Sequence, residues 1–235
     1  MAQSERRSAA FFDLDRTLID VNSGRLYARF EYRNKRISTR QLAESFLWMS
    51  LYHFSVLNIE KAFAKAVRHY HGMSEAEIAE RTCEWFKSEV AERLQPGAKA
   101  VIERHRELGR PTVILTNSSD YQARIAATTW GLDDYIANEF PSDEHGLLLG
   151  TVRTPICYGP GKVTRAEEWA AEHQIDLDRS WFYTDSYSDL PMLERVGHPI
   201  VVNPDPRLRR LARRRGWPIE DWTADDEHTD VNANP

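Results

Sequence analysis

Asp13 and Asp15 stand two residues apart at the end of the apolar run Ala9-Ala10-Phe11-Phe12. Thr116 and Asn117 follow Val113-Ile114-Leu115, Lys162 follows Gly159-Pro160-Gly161, and Asp185 and Asp189 follow Trp181-Phe182-Tyr183. Three of these four clusters close a short β-like run, and the lysine opens a helix-like stretch. In an open α/β sheet, ligands gather at the carboxyl ends of the strands. Carboxylates, a hydroxyl and an amine from distant parts of the chain are therefore expected to meet in one cleft. Such a cleft suits a divalent cation and a phosphate.

Each residue type has a chemical reason to be there and an ordinary structural one. A carboxylate such as Asp13 can attack phosphorus and form an acyl-phosphate. A second carboxyl, Asp15, can protonate a leaving oxygen and later activate water. Taken alone, an Asp-x-Asp pair also opens turns and caps helices. Mg²⁺ takes one or two carboxylates and keeps several waters, so Asp13 and Asp185 could supply them and Asp189 could orient that shell. Asp189 could equally cap the helix that follows. Thr116 and the next amides are read as a strand end feeding a helix start, an anion site. Lys162 offers a compact charge to phosphate oxygens, or is a solvated first-turn lysine. The fixed order of all four clusters at strand ends favours the chemical reading.

The surrounding pattern supplies the elements. Residues 9–13 read as a buried strand, and 21–92 as an uninterrupted helical block with Leu42, Phe46, Met49 and Tyr52 at helical spacing. Ser74 with Glu77 resembles a capping box. After Leu94-Gln95-Pro96-Gly97, helices and strands alternate: helix 98–108, strand 112–116, helix 121–130, strand 135–140, helix 162–173, strand 180–184, helix 190–196, strand 199–202 and helix 205–215. Gly146 and Gly150 suggest a β-hairpin within 141–158. Alternation of this kind predicts an α/β fold, a Rossmann-like, mostly parallel sheet flanked by helices, with an inserted all-helical domain.

Composition sets the outer bounds. The chain has 235 residues, 41% of them apolar, and a net charge of −5. That balance gives no general case for nucleic-acid binding. Cys83 and Cys157 lie in unrelated contexts, so no disulfide framework is expected and a reducing cytoplasm fits. The N-terminal stretch lacks a signal-peptide pattern. The longest uncharged stretch, 45–59, is shorter than the ~20 residues of a spanning helix. Residues 220–235 carry six acids and no Lys or Arg, and read as an acidic, disordered tail. Arg207, Arg209, Arg210, Arg213, Arg214 and Arg215 crowd one helix with Leu208 and Leu211 left for the core. A solvated basic face explains them, with contact to an anionic membrane or to the tail as the lesser reading. His69 and His71 fall on different helix faces and are not expected to share a metal.

The four clusters resemble the haloacid dehalogenase (HAD) superfamily, whose phosphatases carry Asp-x-Asp-x-Thr, a Ser/Thr, a Lys and a late acidic pair. The stretches 11–18, 183–193 and 202–217 are similar to its subfamily IB, phosphoserine-phosphatase-like hydrolases. The resemblance implies a core of 1–20 and 93–219 and a helical cap of 21–92. It implies Asp13 as nucleophile and Mg²⁺ ligand, and Asp15 as acid/base with its backbone carbonyl on the metal. Thr116, Asn117 and Lys162 would hold the phosphoryl group, Asp185 the metal, and Asp189 would support them. Arg16, Asn22, Trp48 and Tyr52 are the candidates for selecting substrate. The region after the first motif, Asp20-Val21-Asn22-Ser23, lacks the Glu that phosphoserine phosphatases place there. The expected activity is Mg²⁺-dependent hydrolysis of a small phosphomonoester through an aspartyl-phosphate, with phosphoserine, histidinol phosphate and a lysophospholipid or glycerophosphate all open. A phosphotransferase using the same intermediate and a non-catalytic phospho-ligand sensor are the competing readings.

Overall fold

The computed structural model describes residues 7–53 and 59–223, with the side chains of 47–53 and 59–62 outside that description. Six parallel strands form one sheet: β1 (Ala10–Phe12), β2 (Thr112–Ser119), β3 (Asp134–Asn138), β4 (Trp181–Thr184), β5 (His198–Val202) and β6 (Ile219–Glu220). Their spatial order is β3-β2-β1-β4-β5-β6. The chain first builds outward from β1 on one side and then returns to build on the other. The order therefore reverses between β1 and β4, where open sheets leave a crevice at their carboxyl edge.

Strand β1 is apolar throughout because both of its faces are covered. Ala10 and Phe12 pack into one core cluster, Ala9 and Phe11 into the other, which is the period-two alternation of a strand buried between helix layers. The covering helices are α5 (Pro96–Glu107), α6 (Asp120–Trp130), α7 (Pro160–Glu172), α8 (Leu190–Arg195) and α9 (Pro206–Arg215). Between β1 and β2 the chain is helical, with α1 (Ser23–Arg33), α2 (Thr39–His53), α3 (Ile59–Val67) and α4 (Glu75–Glu89). Asn22 caps α1 by accepting from the Arg25 amide, and Ser74 caps α4 by accepting from the Glu77 amide.

The structure departs from the sequence reading in three places. The expected hairpin in 141–158 is a loop with one antiparallel bridge of its own, Ser142 to Leu148, and a second from Leu147 to Ser74. The loop is thereby laced to the helical block: the Gly72 amide donates to Leu148 O and the Leu148 amide to Met73 O, at 2.8 and 2.9 Å. Strand β2 does not stop at Thr116 but runs to Ser119, with a register shift after Leu115. The acidic tail does not begin at Glu220, because Glu220 belongs to β6 and Trp222 is buried in the core. Residues 224–235 lie outside the described part. On α9, Leu208 and Ala212 are buried and Leu211 is half-buried. Cys83 and Cys157 are unpaired thiols.

Candidate active site

Strands β1 and β4 are neighbours, with Phe12 beside Tyr183. Asp13 follows the first strand and Asp185 the second, so the register carries both to the same edge. The Asp13 amide donates to Tyr183 O at 2.9 Å. Thr17 ties the two strand ends together: its hydroxyl oxygen accepts from the Asp185 amide at 3.0 Å and lies 3.5 Å from Asp185 Oδ1.

Lys162 reaches this edge from the first turn of α7. Its Nζ donates to Asp13 Oδ1 at 2.7 Å and to Asp189 Oδ2 at 2.8 Å, and the side chain is only 2% exposed. The solvated alternative for this lysine is therefore wrong. Asp189 does not cap α8 with its side chain. It holds Lys162 and accepts from the Thr184 hydroxyl at 2.7 Å. The lysine sits so close because Gly161 lets the start of α7 press on the backbone. A Cβ there would stand 2.0 Å from Ile156 O.

Thr116 is not at a helix start. It lies in the irregular part of β2, and its hydroxyl accepts from the Ser118 amide at 3.1 Å. Helix α6 begins four residues later at Asp120, capped by Ser119. Asn117 also lines the site, with its Oδ1 accepting from Asn138 at 3.1 Å. All seven core residues named from the sequence (Asp13, Asp15, Thr116, Asn117, Lys162, Asp185, Asp189) line one cavity of about 510 Å³.

Arg16 and Asn22 line it too. Arg16 has a left-handed φ of 60° and an exposed side chain. Asn22 is committed to capping α1. Trp48 and Tyr52 lie on α2, and their side chains fall outside the described residues. The sequence reading missed Ser23 and Gln122, which meet at 3.3 Å on the cavity wall. Nothing in their local sequence marks them, because helix α1 and helix α6 bring them together across 99 residues. Thr17 was visible as the Thr of the first motif, but its bond to Asp185 was not. His71 points its Nδ1 at Leu149 O rather than at His69.

The electrostatics are lopsided. Asp13, Asp15, Asp185 and Asp189 share the cavity floor with one buried cation, Lys162. Burial, together with Asp189 and against the pull of Lys162, raises Asp13 to about 7. Burial also raises Asp15, with Ser23 opposing it. Asp185 is pushed well above the usual carboxylate range by burial and then by Asp13 and Asp189. Burial would lower Lys162, but Asp13 and Asp189 more than offset this and hold it protonated. An all-oxygen donor set with surplus negative charge suits a hard divalent cation. Among the described residues, no three His, Cys, Asp or Glu side chains are grouped to hold a metal unaided. A site built on two carboxylates, a carbonyl and waters needs no such group.

Comparisons with known proteins agree with this geometry. Residues 10–194 match the haloacid dehalogenase-like hydrolases. The Inhibition of morphological differentiation protein of Streptomyces azureus is 32% identical over 222 residues, 92% of this chain and 79% of its own. Phosphoserine phosphatase SerB1 of Mycobacterium tuberculosis is 30% identical over 219 residues, 92% of this chain and 71% of its own. Histidinol-phosphatase of Neisseria meningitidis is 24% identical over 217 residues, 91% and 98% of the two chains. A crystal structure of a protein of unknown function from Bordetella pertussis has a TM-score of 0.82 at 29% identity, covering 92% of this chain and 99% of that one. With its strand order, its acid-and-lysine floor and a match over most of its length, the chain belongs to the haloacid dehalogenase-like hydrolase family.

Proposed function

We propose that this protein is a Mg²⁺-dependent phosphomonoester hydrolase that works through an aspartyl-phosphate. The observation that carries the reading is Lys162, buried and bonded to both Asp13 and Asp189 at the switch point of the sheet. Phosphatases among its relatives, the histidinol-phosphatase and the phosphoserine phosphatase SerB1 named above, support the same class of reaction. In this reading 21–92 is a cap over a core of 1–20 and 93–219.

Asp13 and Asp185, with the backbone carbonyl of Asp15, would hold the Mg²⁺. Bound there, the ion would neutralise carboxylate and phosphoryl charge. The chain's own residues do the rest. An Asp13 oxygen attacks phosphorus, and the bond to the leaving oxygen breaks as Asp15 gives that oxygen a proton. Burial raises the Asp15 carboxyl above its ordinary value, which favours the protonated form that a general acid needs. Water then attacks the phosphorus and surrenders its proton to Asp15, and the bond to Asp13 breaks to regenerate the carboxylate. Lys162 and Thr116 offer charge and hydrogen-bond capacity to the equatorial oxygens through both steps. Asp189 keeps Lys162 aimed at them.

The test is Asp13→Asn, assayed on a panel of phosphomonoesters with Mg²⁺. The amide cannot form the acyl-phosphate, so turnover should fall by at least about 10⁴-fold with an unchanged fold. Sustained turnover by a pure sample would remove Asp13 as nucleophile. Ca²⁺ in place of Mg²⁺ should suppress activity, because its longer and often bidentate contacts draw the attacking carboxylate out of line. Full activity in excess chelator would overturn the metal assignment.

A further inference from the structure

We propose that the ester opened here has an apolar leaving group of aromatic size and carries no ammonium. This rests on the phosphomonoesterase reading and adds the substrate class to it. The cavity extends from the acidic floor into a chamber walled by Val67, Tyr70, Ile78, Trp85, Tyr121 and Phe140. These come from α3 and the turn after it, from α4, from α6 and from the chain after β3. The rings are already ordered among themselves. Tyr121 and Phe140 stack at 6.2 Å and 10°, and Trp85 meets Tyr27 edge-on at 5.1 Å. The volume, about 510 Å³, falls within the range of ~300–1,000 Å³ that takes drug-sized ligands. A phosphoryl group with a three-carbon amino acid would fill only part of that volume.

The charges point the same way. Among the described residues lining the cavity, the acids are Asp13, Asp15, Asp185 and Asp189, all at the phosphoryl end. Among the described residues, the chamber wall has none. Glu31 is buried in the same helical block, but it does not line the cavity and is bonded to Arg36 at 3.0 Å. The lining cations Arg16 and Arg25 are exposed and would repel an ammonium. Two neutral polar groups of the wall are engaged, the Thr82 hydroxyl donating to Ile78 O at 2.8 Å and the Ser23 hydroxyl to Gln122 Oε1, while Trp85 Nε1, the Tyr121 hydroxyl and Gln122 Nε2 are buried without a hydrogen-bond partner among the described residues and offer no charge. An ammonium entering the chamber would lose its water and meet no carboxylate among the described lining residues, whereas a ring or short alkyl chain would gain apolar contact. Phosphoserine and histidinol phosphate, named in the two relatives, both bear an amine, so selectivity should differ here.

Calorimetry on the Mg²⁺-loaded protein with phosphonates, which cannot be hydrolysed, tests this. Methylphosphonate reports the phosphoryl site alone, benzylphosphonate adds a ring, and the phosphonate isostere of phosphoserine adds the amino acid. Benzylphosphonate should bind at least about tenfold tighter than methylphosphonate, and the phosphoserine isostere no tighter. Tyr70→Ser and Val67→Asn should each erase most of the benzyl gain while leaving methylphosphonate within about twofold. Melting curves identify a variant that has lost its fold, in which case the ranking by the unaltered protein decides. A phosphoserine isostere that outbinds benzylphosphonate overturns the inference and leaves the phosphatase reading standing. So does a ranking that folded variants do not change. Failure of every phosphonate to bind, with no ester hydrolysed, overturns both.

Discussion

Lys162 explains how four carboxylates tolerate one another. It answers Asp13 and Asp189 directly, while the Asp185 carboxylate meets the Thr17 hydroxyl at 3.5 Å, feels the charge of Arg16 and has a raised affinity for a proton. A buried carboxylate that binds a proton above its usual range gives the fold an advantage at low pH and loses it as pH rises through the raised value. In the proposed function Mg²⁺ would compete for the same oxygens, so metal binding and proton binding would exclude each other. With Asp13 at about 7 and Asp185 well above the usual range, Mg²⁺ should raise the melting temperature more at pH ~8 than at pH ~5.5. A thermal-shift titration at both pH values checks this. An equal shift at the two would show that these carboxylates do not hold the ion.

Elements decide where those residues stand, and this is the scale at which the sequence was most and least legible. Asp13 and Asp185 were readable as partners because each closes an apolar run, and parallel strands carry their ends to one edge. The order of the strands, with β1 beside β4, was not readable, because pairing depends on crossovers rather than on any local pattern. The Ser74–Leu147 bridge escaped for the same reason: the glycines announced a turn, but the partner of Leu147 lies in the chain around Gly72. Gly161 is an element-scale device that the sequence showed only as a helix opener. Gly161→Ala forces a methyl onto Ile156 O, so the start of α7 must withdraw and take Lys162 with it. Stability should fall by about 1–3 kcal/mol, and kcat should fall more than KM rises, because in the proposed mechanism the lysine acts on the reacting phosphoryl oxygens. A variant with normal kcat would show that Lys162 has positional slack. His105 on α5 offers a pH test of a different element. Its Nε2 lies 2.9 Å from the Tyr183 hydroxyl, and burial lowers the ring to about 4. A histidine lowered in the fold leaves the unfolded chain binding more protons between pH ~4 and ~6.5, so stability drops as pH falls through that window, by up to about 3 kcal/mol. His105→Gln keeps a polar partner for Tyr183 but does not titrate. Urea melts at pH ~7 and ~4.5 should show a smaller acid loss in the variant, and an identical loss would clear His105 of the effect.

Across the whole molecule, the end of the described chain is what braces the floor of the site. Trp222 closes over Gly97, where a Cβ would stand 2.6 Å from its ring, and meets Tyr183 at 5.3 Å and Phe12 at 6.4 Å. Those two residues are the last side chains of β4 and β1 on that face before the reactive edge. A hydrogen-bonded path runs the same way. The Trp222 amide donates to Asn203 Oδ1, Asn203 Nδ2 to Gln95 Oε1, Gln95 Nε2 to Thr17 O, and the Asp185 amide to the Thr17 hydroxyl. Four segments far apart in sequence thus converge behind the two aspartates. The acidic composition after Pro218 concealed this, because a single tryptophan among acids carries no periodic signal, and only its fit over Gly97 shows that it is core. Trp222→Ala should therefore do two things at once. It should cost about 3–5 kcal/mol of stability, the range for emptying a buried aromatic site. It should also lower kcat at temperatures well below the new melting point, since Phe12 and Tyr183 lose the ring that fixes them beneath Asp13 and Asp185. Binding of methylphosphonate should change little, because Lys162 and Thr116 are held by β2 and α7 on the other side. Denaturant melts beside steady-state kinetics separate the two effects. A variant that is less stable yet keeps its kcat would mean that the brace supports the fold alone and not the alignment of the aspartates.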